Sequence, residues 1–181
     1  MKKPICLIMI FSMLILKISA QEISEADNSL IDDFVKSHVA VTKEKIISDT
    51  LQNVFNGTFF KISAGFNFDE NGGSTGYIFA IKGGELFAIE NPTVNMPVLS
   101  SLVKTDYYLK SETDAKKFET ALDKIFPIAW PESDKKEHLK LSNKWYFIRN
   151  KFFDSKSGFI VTVDNNSKIT DISYEMEAIK K

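Results

Sequence analysis

Along this chain the spacing of apolar residues changes period several times, and each change marks an element. Ile23, Ala26, Leu30, Phe34 and Val35 recur at near-helical intervals, with Asp32, Asp33 and Lys36 elsewhere, which predicts a helix over 25–37. Ser24, with Asp27 three residues on, gives it a capping-box-like start. A second amphipathic segment follows Thr42. There Ile47, Leu51, Val54 and Phe55 stand at i, i+4, i+7 and i+8, and Asn56-Gly57 stops the run. The period then falls to two. Phe60, Ile62, Ala64, Phe66 and Phe68 alternate with Lys61, Ser63, Gly65 and Asn67, a strand with one wet face. Residues 69–74 read as a turn. Gly83-Gly84 joins apolar runs at 77–82 and 85–89 as a hairpin. Residues 91–101, with Pro92 and Pro97, read as irregular connection, and 103–110 as a further strand.

Ser111, with Asp114 at the box position, caps a third helix. Its stripe is Ala115, Phe118, Leu122 and Ile125, and Pro127 ends it. A loop over 127–134 encloses Trp130. Strands are predicted over 138–141, 144–153, 158–164 and 169–176, with 164–168 turning the last pair. Hairpins dominate, and helices are segregated from them. The expected class is α+β, a mainly antiparallel sheet with helices packed on one face. Helix-then-strands occurs twice, over 42–90 and 111–176, so a tandem of two αβββ units sharing one sheet is a further expectation. No low-complexity linker interrupts the chain. A single domain over 21–181 follows, with possible sub-units 21–104 and 105–181.

The last unit resembles the PepSY-type modules of exported bacterial proteins. Those also run helix, then strands, with a Val-x-Val-Asp stretch before the final turn, here Val161-Thr162-Val163-Asp164. The glycine usual in that turn is missing, and Ser167 stands near its place. The shared stretch is short, and we assign no family from it.

Charge changes the picture at the start of the chain. Met1-Lys2-Lys3 is a positive head, 5–16 is an apolar run broken by Ser12, and Ile18-Ser19-Ala20 ends in a small residue before Gln21. That layout is a secretory signal peptide over 1–20, and it predicts a periplasmic or secreted protein. The apolar run is too short to span a bilayer comfortably, so no integral span is expected after cleavage. The chain has 23 Lys+Arg and 24 Asp+Glu, for a net charge of -1. Without Lys2, Lys3 and Lys17 the balance is 20 basic against 24 acidic, or -4. Such a chain lacks the positive charge that nucleic-acid binding uses. Cys6, the single cysteine, leaves with the signal, so the mature chain has no disulfide, thiolate nucleophile or cysteine-held metal.

Candidate chemistry is sparse. His38 and His138 are the only imidazoles, and neither has a nucleophile-like setting or a metal-binding spacing. Asp69-x-Asn71 and Asp164-x-Asn166 open like calcium loops, but both fail at later positions and read as turns. No cofactor or metal is expected. The distinctive content is aromatic. On a regular strand Trp145, Phe147, Arg149, Lys151 and Phe153 share one face, and Tyr146, Ile148, Asn150 and Phe152 the other. Trp145, Phe147, Arg149, Tyr108 and Trp130 are therefore the candidate ligand-binding set, with Arg149 suited to hold an anion or carboxylate. The alternative for the same residues is a core covered by helices. The favoured function is a non-catalytic binding domain for a protein or small molecule. The alternatives are an exported hydrolase with paired carboxylates, or a structural subunit of an envelope assembly.

Overall fold

A computed structural model describes residues 23–36, 40–65, 74–90, 94–126, 137–152 and 155–177. The signal segment, His38, Asp69-x-Asn71 and Trp130 lie outside the described residues. The described residues form four helices and two four-stranded antiparallel sheets, an α+β class.

The first sheet has the order β1-β2-β3-β4, built from Ala40–Ile46, Thr58–Gly65, Ser74–Lys82 and Glu85–Glu90. The second has the order β5-β6-β7-β8, built from Glu137–Leu141, Lys144–Phe152, Ser155–Val163 and Ile169–Glu177. Helices α1 (Glu25–Val35) and α2 (Asp49–Val54) belong to the first half. Helices α3 (Met96–Leu102) and α4 (Glu112–Ile125) stand between the sheets in sequence.

Caps set the helix ends. Ser24 Oγ accepts from Asp27 N–H at 3.1 Å, and a complete capping box joins Ser111 and Asp114 at the start of α4. The Gly83-Gly84 turn takes left-handed backbone at both positions (φ 62° and 82°), the geometry of a two-residue hairpin. Asp164 Oδ1 accepts from the backbone N–H groups of Asn166 and Lys168, so the last turn is held by side-chain turn chemistry. Ser167 in that turn is also left-handed (φ 67°).

Four expectations need correction. There are two sheets rather than one shared sheet. The segment after Thr42 is not one helix, because β1 occupies its first half and pairs Ala40 to Ile46 with Gly65 to Phe59 of β2. Residues 96–102 are helical: Pro97 lies in the first turn, where a missing N–H costs nothing, and Asn95 caps it. Residues 103–110 are not a strand. Val103 and Tyr108 make only isolated bridges, to Phe55 and Lys168.

Two apolar cores result among the described residues. The larger lies between the inner faces of both sheets and α2, α3 and α4. It includes Phe59, Ala80 and Ile89 from the first sheet, Trp145, Phe147, Phe159 and Val161 from the second, and Phe118 and Leu122 from α4. The smaller lies on the outer face of the first sheet. There Ile31 and Val35 of α1 cover Phe60, Ile62, Tyr77, Phe79 and Ile81. Burying each of those two α1 side chains contributes about 1.5–3 kcal/mol. Lys43 of β1 fastens the helix further, pairing with Asp32 at 2.5 Å and donating to Asn28 Oδ1 at 3.1 Å.

Candidate functional site

Strand β6 decides what its aromatic residues do. Trp145 pairs with Val161 and Phe147 with Phe159, and all four side chains face the larger core. Trp145 is 2% exposed and Phe147 0%. Phe118 of α4 lies on Phe147, with ring centroids 5.3 Å apart. The α4 stripe predicted from spacing covers this face, so Trp145 and Phe147 are core residues and present no aromatic surface to a ligand. Ile148 pairs with Gly158 and Asn150 with Ser157, leaving Arg149 as the extra residue of a β-bulge. The strict alternation that grouped Arg149 with Trp145 and Phe147 stops there. Tyr108 stands in the connection between α3 and α4, half-buried, with Lys110 Nζ 4.7 Å from its ring centroid. Of the five candidate residues, the structure brings Trp145 and Phe147 together, inside the core.

Gly158 makes the bulge possible. A Cβ there would stand 2.1 Å from Phe147 O and 2.9 Å from Ile148 Cα, so no larger residue fits without moving backbone.

A polar cluster that sequence reasoning missed sits at the rim of the same face. His138 of edge strand β5 pairs with Phe147 and reaches α4. Its Nε2 lies 2.5 Å from Glu112 Oε2, and its Nδ1 lies 3.3 Å from Glu119 Oε2. Glu119 is 8% exposed. Its Oε1, and Nε1 of Trp145, are buried and have no hydrogen-bond partner among the described residues. The available signal was the spacing of Glu112 and Glu119, which puts them two turns apart on one side of α4.

The opposite face of the second sheet has a different character. The register aligns Leu139, Tyr146, Ile160 and Ser173 across the four strands, with Leu141, Lys144, Thr162 and Asp171 as the adjacent row. Leu139 is 49% exposed and Leu141 53%. Tyr146 is half-buried, and Ile148 and Ile160 are buried but belong to neither core. The β5 pattern is thus inverted. His138 and Lys140 point to the core side, Lys140 Nζ lying 5.3 Å from the Trp145 ring centroid, while the leucines point away.

Elsewhere, burial holds the Tyr107 hydroxyl well above the usual tyrosine range, and the Asp114 carboxylate adds to this. That hydroxyl donates to Asp114 O at 2.8 Å. Burial also raises Glu90, partly offset by Lys61. Among the described residues no group of three or more His, Cys, Asp or Glu side chains could hold a metal ion. No helix of those residues is long and apolar enough to cross a membrane.

Compared with known proteins, the chain matches no family model, no curated protein and no solved structure.

Proposed function

We propose that the chain is an exported, non-catalytic interaction domain whose partner docks on the exposed β5 edge of the second sheet. One observation carries this: Leu139 and Leu141 stand about half exposed on an edge strand, and Leu139 is in register with half-buried Tyr146. Single surface leucines are ordinary. Two exposed leucines on the same edge strand, rimmed by polar residues, suit a docking edge. The signal-like first twenty residues support a periplasmic or secreted location in a bacterial cell. The acidic balance of the mature chain disfavours nucleic acid as the partner.

The test is capture from the cell's own envelope fraction. Wild-type mature protein is compared with a Leu139→Asp/Leu141→Asp variant whose circular dichroism melt is unchanged. Partners recovered by the wild type should be lost with the variant. Equal recovery by both would reject this edge.

A further inference from the structure

An edge strand presents unpaired backbone N–H and C=O groups, and a stable monomer has to blunt them. Three of the four strand edges here are blunted. Ile172 N–H of β8 donates to Ser100 Oγ of α3 at 3.0 Å. Beside β4, Val94 bridges to Glu90, and Asn95 N–H donates to Ile89 O at 2.6 Å. β1 carries Lys43, Glu44 and Lys45 in succession, charges that resist pairing. β5 is different. Among the described residues no backbone bond reaches its outer edge, and its two leucines are half exposed. Lys140 does little to guard it, because its Nζ lies over the Trp145 ring on the core side.

The Ser142-Asn143 turn fixes which groups face outward. It joins Leu141 directly to Lys144, which makes that pair hydrogen-bonded and Leu139–Tyr146 the next one. The N–H and C=O of His138 and Lys140 therefore point to the free edge. The same groups of a second copy, running antiparallel, can meet them. A register centred on Lys140 sets two lysines directly opposite, which is unfavourable. A register centred on Leu139 overlaps the whole of β5. It sets Lys140 of each copy opposite His138 of the other, whose ring lies between Glu112 and Glu119, so the incoming cation meets carboxylates. Leu139 and Leu141 of both copies then gather on the outer side.

We infer that β5 pairs with β5 of a second copy of this chain, antiparallel and centred on Leu139, so that the two second sheets become one continuous sheet. This rests on the docking edge proposed above and names its occupant. An extended segment of another protein is the competing occupant; it would satisfy the backbone groups without the matched leucines and charges. The contact is small, so the dimer is weak, with a Kd on the order of 100 µM.

Sedimentation of the mature protein tests this between about 10 µM and about 1 mM, the range such a Kd requires. The protein should be monomeric at the low end and mainly dimeric at the high end. Leu139→Asp/Leu141→Asp should stay monomeric throughout, whereas Ile47→Asp, at an exposed apolar residue elsewhere, should dimerise like wild type. Lys140→Gln should weaken the dimer about threefold or more. Amide exchange supplies the backbone readout: His138 and Lys140 should slow as concentration rises, while Leu139 and Leu141, already bonded to β6, should not. A monomer at the highest concentration, or a dimer indifferent to the leucines or to exchange at His138 and Lys140, would overturn the inference. A tighter dimer with Lys140→Gln would overturn the register. A monomer that still captures a different envelope protein through Leu139 and Leu141 would replace the second copy and leave the docking edge standing. Capture insensitive to the leucines would overturn the edge itself.

Discussion

The two sheets share strand number, antiparallel order and an inner face on one core, yet their outer faces differ. The first is closed by α1, with Phe60, Ile62 and Phe79 all at 0% exposure. The second carries half-exposed leucines on β5, while Ile148 and Ile160 at its centre are buried without belonging to either described core. The same architecture therefore closes one outer face with a helix and leaves the β5 edge of the other exposed. Hydrophobic residues on a sheet face are worth their burial only when something covers them. The exposed β5 edge is where a partner can contribute that burial.

The comparison can be sharpened by glycine substitutions, which should have the largest effect. Gly158 of β7 has no room for a Cβ, whereas Gly76 of β3 has nothing within 4 Å of that position. Gly158→Ala should destabilise by about 3 kcal/mol, since backbone must move at the bulge. Gly76→Ala should be neutral or slightly stabilising. Urea denaturation of both variants measures this. Similar losses would mean that the bulge does not distinguish the sheets.

A smaller effect comes from the rim of the second sheet. His138→Ala removes the partner of the buried Glu119 carboxylate. A loss of about 1–3 kcal/mol is expected from the orphaned group. Adding Glu119→Leu should recover most of it, because the unpaired carboxylate, not lost packing, is the cost. Failure of the double variant to recover would assign the loss to the imidazole's own contacts.

The smallest effect belongs to the first sheet. Burial raises the Glu90 carboxyl above its ordinary value, so the folded chain holds that proton more tightly than the unfolded chain. The sign follows: stability falls as pH rises from the ordinary carboxylate range through the raised folded value, and no cost exists in stronger acid. Glu90→Gln should therefore raise stability at pH 7 and leave it unchanged near pH 3. Partial exposure screens the effect to below about 0.5 kcal/mol.

Much of the fold was legible in the chain because the signals were local. Caps at Ser24 and Ser111, the alternation from Phe60, the Gly83-Gly84 turn and the last four strands all depend on residues a few positions apart. What failed depended on distant partners. β1 was hidden because Val41, Lys43 and Lys45 show no clean alternation, and its pairing with β2 defines it. α3 was hidden because Pro97 reads as a breaker until Asn95 is recognised as its cap. The site fared worse for the same reason. Trp145 and Phe147 were distinctive as letters, and only the position of α4 makes them core. Leu139 and Leu141 attract no notice in a polar run until register shows which way they point.

The central claim is that the apolar residues on the outer face of the first sheet lie closed under α1, whereas Leu139 and Leu141 on the edge of the second stand open. Paired double variants test it: Leu139→Lys/Leu141→Lys on the second sheet, and Phe60→Lys/Ile62→Lys on the first. Thermal unfolding followed by circular dichroism should show the first variant melting close to wild type, because exposed leucines lose little on substitution. The second should fail to fold cooperatively, because two lysines would be buried beneath α1 without partners. Comparable destabilisation by both pairs would contradict the account.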